Sequence, residues 1–186
     1  MLKSLFTSNV RVKILKLLFL NPNQQFYVRE ISRLLDEQLN SVRRELDNLS
    51  KIQLISSKVQ NRKKYFKLNQ KCKFIKELRA LVLKNGKVLD GFVKDFNKQG
   101  SLDLLMIAGV YLNQMDPFDI LIIGEIQADL LEELLNKHLI SKTNVQFMET
   151  AQFAERYQAK DPLILNLIKN ENFIKLHSKI DEFVEI

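Results

Sequence analysis

Two short apolar repeats, separated by three polar residues, constrain the fold of this chain more than any other feature. The first repeat has the spacing of one helical face and consists of Val28, Ile31, Leu34 and Leu35. The polar break is Asp36-Glu37-Gln38, and the second repeat consists of Val42, Leu46 and Leu49. Two short helices joined by a turn of three or four residues form a helix-turn-helix, so the sequence predicts that motif here.

Helical and strand patterns flank the two repeats. Upstream, residues 8–20 place Val10, Ile14, Leu17 and Leu18 on one helical face, and Asn21-Pro22-Asn23 predicts the end of that helix. Downstream, the stretch LISSKVQNRKKYFKLN alternates in character on both sides of Gln60-Asn61-Arg62-Lys63. This alternation predicts a β-hairpin with a basic tip.

The order of these elements resembles that of the winged helix-turn-helix regulators of the ArsR-like kind. The segments FYVREISRLL, NSVRRELDNL and LISSKVQNRKKYFKLN look like segments of that family in the same order, and the resemblance covers about residues 5–84. Two places depart from the family pattern. Asp36-Glu37 stands where a glycine and an apolar residue are usual, and Gln53 stands where a glycine usually precedes the wing. These departures predict a turn of different shape and, at Glu37, weaker contact with phosphates.

The resemblance implies double-stranded DNA as the partner, and the side chains at the matching positions suit that partner. The N-terminal part of a recognition helix meets base edges in the major groove, where Asn and Gln pair with adenine and Arg pairs with guanine. The candidates on this helix are Gln38, Asn40, Ser41, Arg43 and Arg44. The wing candidates, suited to phosphates or a minor groove, are Lys58, Arg62, Lys63 and Lys64, and Arg29 lies on the preceding helix, which crosses the backbone. For Arg33 and Arg44 a solvated charge is the alternative, and Glu45 could pair with Arg44.

Charge is divided unequally between the two halves of the chain. Residues 1–100 contain 22 Lys and Arg against 8 Asp and Glu, a net charge of +14, whereas residues 101–186 contain 7 against 14, a net charge of −7. An asymmetry of this size indicates a half that binds a polyanion joined to a half with another task.

A helical pattern continues after the hairpin, over residues 71–98, with interruptions at Gly86 and Gly91. Its apolar stripe consists of Phe74, Leu78, Leu81 and Val82. The stripe could pack on the winged helix or on the same helix of a second chain. Because helix-turn-helix proteins commonly bind as dimers, we expect a homodimer. The predicted organisation is a winged helix at 1–84, a linking helix at 85–100 and a second domain at 101–186.

The second half alternates strand-like and helix-like segments. The predicted strands are 102–108, 118–123 and 144–149, with a helix at 126–139, further helices near 150–170 and a last apolar piece, NFIKL. This order predicts a small mixed sheet, which makes the whole chain α+β.

The order of these strands and helices also resembles that of the minimal nucleotidyltransferase domain. In that family a first strand ends in Gly-Ser, a second carries Asp-x-Asp ahead of an apolar run and a glycine, and a third supplies another acid. The segment MIAGVYLNQMDPFDILIIG looks like the first two strands with their loop.

Most residues that this second resemblance would require for catalysis are absent. Gly109-Val110 replaces Gly-Ser, Pro117 stands at the first acid, and Gln146 stands at the third, with Glu149 at the strand end. Only Asp119 remains, and one carboxylate does not hold the magnesium ions that phosphoryl transfer requires.

Asp116 does not replace the missing partner of Asp119 without a bulge in the strand. Asp116 and Asp119 are three residues apart, and side chains three apart on a strand point to opposite faces. We therefore expect no catalysis, no metal and no cofactor, and a nucleotidyltransferase relic used for sensing or assembly. The alternative is an active nucleotidyltransferase that the winged helix delivers to nucleic acid.

Other features bound the cellular setting. No apolar run approaches the roughly 18–20 residues that a membrane span needs. No secretory cleavage site follows the basic and apolar N-terminus, and the single Cys72 cannot form an internal disulfide. These features predict a cytoplasmic protein without a membrane partner. A nucleic-acid-binding protein without sequence preference is a third interpretation, and the identity of any small-molecule or protein effector stays open.

Overall fold

The computed structural model describes residues 8–84, 89–112, 116, 118–139, 143–169 and 173–180. The chain divides into an N-terminal unit, Met1–Asn85, and a C-terminal unit, Gly86–Ile186. In the described part of the chain, no helix combines the length and the apolar character that a membrane crossing requires.

Three helices enclose the core of the N-terminal unit. Helix α1 spans Asn9–Leu20, helix α2 spans Val28–Leu35 and helix α3 spans Leu39–Lys51. Fully buried side chains from all three meet in this core: Ile14, Leu18, Ile31, Val42 and Leu46. The predicted helix-turn-helix is therefore present as α2 and α3.

The ends of these helices follow local rules that the sequence carries. The Ser8 side chain accepts a hydrogen bond from the Arg11 backbone N–H at 3.2 Å, which caps the start of α1. Helix α1 ends at Leu20, as Asn21-Pro22-Asn23 predicts. Leu34, which the repeat assigns to the buried face of α2, is instead 43% exposed, because it lies in the last turn beside the Asp36 bend.

The wing is a two-stranded hairpin extended by one short strand. Strands β1 (Phe26–Tyr27), β2 (Ile55–Gln60) and β3 (Lys63–Leu68) form an antiparallel sheet in the order β1-β3-β2. The two loop residues, Asn61 and Arg62, have φ of 48° and 59°. Positive φ at both positions gives the two-residue turn whose twist matches that of the flanking strands. The predicted hairpin with its basic tip is confirmed, and the unit has the winged helix-turn-helix arrangement.

Two non-glycine residues take a left-handed backbone conformation where the family pattern has glycine. Asp36 has φ 50° and Gln53 has φ 57°. The turns therefore keep the conformation that glycine would give, and the expected change of shape is wrong. L residues adopt this conformation at a cost of about 1–2 kcal/mol. Glu37, expected to weaken phosphate contact, forms an ion pair with Lys13 at 2.6 Å.

Helix α4, Ile75–Lys84, packs on α1 of its own chain. Its buried residues are Ile75, Arg79, Val82 and Leu83. The predicted apolar stripe is therefore partly wrong, since Phe74 precedes the helix and is 43% exposed.

Arg79 is a buried residue of α4 that the predicted apolar stripe did not include. Its side chain is buried, its guanidinium lies 5.8 Å from the Phe19 ring centroid, and its Nη2 donates to Gln70 Oε1 at 3.1 Å. Burial lowers the pKa of Arg79. A charged residue thus occupies a core position that apolar periodicity alone does not reveal.

A four-stranded mixed sheet forms the centre of the C-terminal unit. Strands β4 (Ser101–Ile107), β5 (Ile120–Glu125), β6 (Val145–Met148) and β7 (Ile174–Ser178) lie in the order β6-β5-β4-β7. Strands β5 and β6 are parallel, and the other two pairs are antiparallel. The predicted mixed sheet and the α+β class are confirmed.

Among its described residues, this unit has five helices: α5 (Asp90–Gln99), α6 (Gly109–Leu112), α7 (Ala128–His138), α8 (Thr150–Gln158) and α9 (Pro162–Lys169). Helix α5 packs against β4 and α7 and buries Phe92 and Phe96. Residues 90–99 of the expected linking helix therefore belong to the C-terminal unit, which begins before residue 101.

Candidate nucleic-acid interface

A concave surface of about 500 Å³ lies between the start of α2, the exposed side of α3 and the wing. Five of the ten DNA-contact candidates line it: Arg29, Arg43, Arg62, Lys63 and Lys64. The other lining residues are Tyr27, Val28, Asp47 and Phe66. We call this the basic concavity. It collects cations from three elements that are separated along the chain.

Strand β1 is what brings the start of α2 beside the wing. Its two residues pair with β3 in the register Phe26↔Phe66 and Tyr27↔Tyr65, and α2 begins at the next residue, Val28. Arg29 in the first turn of α2 therefore lies next to the hairpin. Arg43 reaches the same place from α3, whose opposite face is buried in the core.

The five cations of the basic concavity have no acidic partner in the described part of the chain, where no Asp or Glu lies within ion-pairing distance of any of them. Two other cations of this unit are paired: Arg11 with Glu45 at 2.8 Å and Lys13 with Glu37 at 2.6 Å. Five positive charges from separate elements therefore face one surface, as in the electrostatic footprint of a polyanion site.

Aromatic rings hold the wing lysines in place. The Lys63 Nζ lies 4.8 Å from the Tyr27 ring centroid, and the Lys64 Nζ lies 5.2 Å from the Phe66 ring centroid. Tyr27 itself packs edge-on against Tyr65, with ring centroids 5.8 Å apart. Because a cation–π contact uses the ring face and leaves N–H groups free, these lysines remain able to donate to phosphate oxygens.

The other five candidates lie outside the basic concavity. Gln38 precedes α3 at its N-cap position without a side-chain capping bond, and Asn40 and Ser41 lie in the first turn. Lys58 faces Tyr65 across the hairpin and is exposed, and Arg44 is exposed on α3. These residues are not among those that line the concavity. The structure does not bring all ten together.

Glu45 does not pair with Arg44, the pairing that the alternative for Arg44 allowed. Glu45 is buried on the other side of α3, where its Oε2 accepts from the Arg11 Nε at 2.8 Å. Burial acts to raise the pKa of Glu45, but hydrogen bonds from Ser8 and Arg11, with the Arg11 charge, hold it below its ordinary value. The ion pair ties α1 to α3, and it leaves Arg44 to solvent.

Sequence reasoning missed the non-basic residues of the concavity. Asp47 follows Arg43 by four residues, and this helical spacing does place both on one side of α3. The positions of Tyr27 and Phe66 depend on the pairing of β1 with β3, a contact between distant segments that no local pattern shows.

In the C-terminal unit, Asp116 and Asp119 lie before β5, which begins at Ile120 and not at 118. Strand alternation therefore does not separate them, contrary to the expectation. The Asp116 Oδ2 accepts from the Gly109 backbone N–H at 2.9 Å, and the Asp119 Oδ2 accepts from the Asn144 backbone N–H at 2.8 Å. Gly109 has φ 48°, and a Cβ on it would lie 2.2 Å from Asp119 Oδ1, so both carboxylates approach the same glycine.

The remaining nucleotidyltransferase positions add no ligand at this point. Pro117 and the Val110 side chain lie outside the described residues. Gln146 is exposed on β6, and Glu149 is the N-cap of α8. Within the residues that the structure describes, no three His, Cys, Asp or Glu side chains are grouped so that they could hold a metal ion.

Comparisons with known proteins give one distant structural similarity. No family model matches the chain, and no curated protein matches it. The crystal structure of the adhesin competence repressor AdcR from Streptococcus pyogenes is similar over 52% of this chain and 72% of its own, at 19% sequence identity and a TM-score of 0.37.

Proposed function

We propose that this protein is a DNA-binding transcriptional regulator whose N-terminal unit binds a specific duplex site. The observation that carries the proposal is the basic concavity: five cations from α2, α3 and the wing face one surface, and none of them has an ion pair among the described residues. A helix and an adjacent hairpin that share a positive surface are suited to a duplex, because the major groove admits the helix while the flanking backbone meets the hairpin.

The proposal assigns different tasks to the two sides of the concavity. The N-terminal end of α3, with Gln38, Asn40, Ser41 and Arg43, enters the major groove and contacts base edges. The wing, with Arg62, Lys63 and Lys64, contacts phosphates, as does Arg29. Arg43 and Asp47 lie one turn apart at the concavity. A carboxylate there accepts from the cytosine amino group while the arginine donates to guanine, so this pair favours a GC-containing half-site.

We propose further that the regulator acts as a homodimer. Helix-turn-helix dimers read two half-sites about one helical turn apart. The test is light scattering of the purified protein with and without its site, which should report two chains per duplex. A single chain on a site of two half-sites would contradict the dimer.

For the C-terminal unit we propose a non-catalytic role in sensing or assembly, with a nucleotidyltransferase-like arrangement as its origin. What supports this is that Asp116 and Asp119, the acids nearest to the matching positions, each accept a backbone N–H. The rival is an active nucleotidyltransferase. A labelled-nucleotide transfer assay with magnesium and manganese, on DNA, RNA and protein acceptors, separates the two. Turnover that disappears in Asp119→Asn would establish the enzyme.

The DNA proposal itself is tested by site selection from a random duplex library with the full chain, followed by affinity measurement at fixed salt. We expect a defined motif whose affinity exceeds that of a scrambled duplex by about 10³-fold or more. Equal affinity for both would contradict sequence-specific regulation and favour a non-specific nucleic-acid-binding protein.

A further inference from the structure

The C-terminal unit contains a cleft that neither the basic concavity nor the nucleotidyltransferase resemblance explains. It has a volume of about 630 Å³ and lies between the sheet and helix α8. Clefts of this size are typical of sites for small organic molecules, which are mostly apolar with a few polar groups that fix the ligand's orientation.

The walls of the cleft are apolar and include two aromatic rings. Phe153 and Tyr157 stack with centroids 6.4 Å apart and planes within 10° of parallel. Ile123 of β5 and Ile180 complete this side. Aromatic rings in the wall favour a flat aromatic body in the ligand, because aromatic pairs pack in offset-stacked or edge-to-face arrangements.

Two carboxylates, Asp103 and Glu125, supply the charge of the cleft. Asp103 is only 8% exposed, and its oxygens accept from Thr150 Oγ1 at 2.5 Å and from Ser101 Oγ at 3.4 Å. Glu125 Oε1 accepts from the Thr150 backbone N–H at 3.1 Å. Both acids therefore meet at the start of α8.

Neither carboxylate has a cationic partner among the described residues, where every ion pair involves other acids. Burying a carboxylate without a compensating cation is costly, and hydroxyl donors offset only part of that cost. The neutral hydrogen bonds also leave acceptor capacity on both side chains. The cleft thus has a negative pole without a counter-charge and an aromatic wall beside it.

A β-bulge directs Asp103 to this place. The pairing of β4 with β5 shifts between Leu102 and Leu104, so Asp103 is the extra residue that has no partner in the ladder. Bulges re-aim a side chain and occur often beside functional sites. Asp103 is the third of the seven residues of β4, and every residue after it in the strand is apolar.

We propose that this cleft binds a small organic cation, a protonated amine attached to a flat apolar body. The ammonium group donates to Asp103 and Glu125, and the apolar body lies against Tyr157 and Phe153. The binding itself does not depend on the DNA proposal. Only its consequence does: as the effector of the regulator, such an amine would change operator affinity.

The test uses three indole compounds that share a ring system and differ in end group: tryptamine, the neutral alcohol tryptophol and the anion indole-3-acetate. The chain has no Trp, so indole fluorescence anisotropy reports the ligand alone in titrations with the full chain and without DNA. We expect tryptamine to bind about tenfold or more tighter than tryptophol, because a charge-assisted pair is lost in the alcohol. Indole-3-acetate should bind most weakly. Equal affinity for all three, or no saturable binding of tryptamine at millimolar concentration, would overturn the proposal.

Matched variants locate the binding. Glu125→Gln and Asp103→Asn should each weaken tryptamine by about tenfold and leave tryptophol unchanged, because only the charge pair is removed. Glu132→Gln, on the exposed side of α7, is the control and should change neither. If Asp103→Asn does not fold, Glu125→Gln alone decides, since Glu125 is exposed at the end of its strand. Unchanged tryptamine affinity in folded Glu125→Gln would refute the assigned site.

Discussion

Replacing Lys63 by Ala should reduce the salt dependence of DNA binding by a predictable amount. Each phosphate contact releases counterions, so log K falls with log salt at a slope of about −0.9 per contact on B-DNA. Four of the five cations of the basic concavity are assigned to phosphates: Arg29, Arg62, Lys63 and Lys64. If each of them meets one phosphate, the slope is about −3.6 per bound chain, and affinity falls about 150-fold between about 50 and 200 mM salt. Lys63→Ala should bring the slope to about −2.7 and the fall to about 40-fold.

The assay is fluorescence anisotropy of a labelled duplex with the full chain at five or more salt concentrations. Lys84→Ala is the matched control, because it removes the same charge from an exposed position on α4 that does not line the concavity. The control should keep the wild-type slope. Equal slopes for the wild type and Lys63→Ala, or an equal loss in both variants, would refute the assignment of Lys63 to a phosphate and attribute binding to net charge alone.

Three further predictions concern specificity and stability. Arg43→Ala should cost about 1–3 kcal/mol of binding free energy on the selected site and relax sequence choice, whereas Lys63→Ala should weaken binding to all sequences alike. Competition between selected and scrambled duplexes checks this. Identical competition profiles for the two variants would contradict the placement of Arg43 in the major groove. Glu45→Gln should lower the free energy of unfolding by about 1–3 kcal/mol in urea denaturation at pH 7, because it breaks a pair in which the Glu45 side chain is 4% exposed while Arg11 is partly solvated. The folded pKa of Glu45 is lowered, so the stabilisation that its ionised form contributes is complete above the unfolded pKa of about 4.3 and is lost as pH falls through the folded pKa. The difference in unfolding free energy between the wild type and Glu45→Gln should therefore shrink below about pH 4. A difference that grows in acid would contradict the pair. Gln53→Gly should raise stability by about 0.5–1 kcal/mol, because Gln53 has φ 57°. Gln60→Gly, at the last residue of β2, where φ is not positive, should lower it. A loss in both would show that the left-handed conformation is not strained.

Local patterns predicted the elements of the N-terminal unit well. Apolar spacing placed α2 and α3, and the alternation around Asn61-Arg62 placed the wing. These patterns are local because each element buries one face, and the spacing of apolar residues within the element determines which face that is. The basic concavity was only half predictable. Its cations were identified, but their convergence depends on the pairing of β1 with β3, which joins segments about 40 residues apart in the chain.

The errors arose where polar residues occupy interior positions. Arg79 in the core of the N-terminal unit and Asp103 in β4 are both buried, and a search for apolar periodicity passes over both. The start of β5 was placed two residues early, because Phe118 extends the apolar run although Asp119 is held by backbone bonds to Asn144 before the strand begins. Boundaries of this kind depend on hydrogen bonds between distant segments, which the order of residues does not display.

The most direct test of the central claim, that the basic concavity binds duplex DNA, is an NMR titration of the isotope-labelled full chain with its selected duplex. The account predicts that the largest amide shifts occur at Arg29, at residues 38–47 of the α3 segment and at residues 58–66 of the wing. Amides of the sheet in the C-terminal unit should shift little. Shifts confined to the C-terminal unit, or spread evenly over exposed lysines such as Lys84, would contradict it.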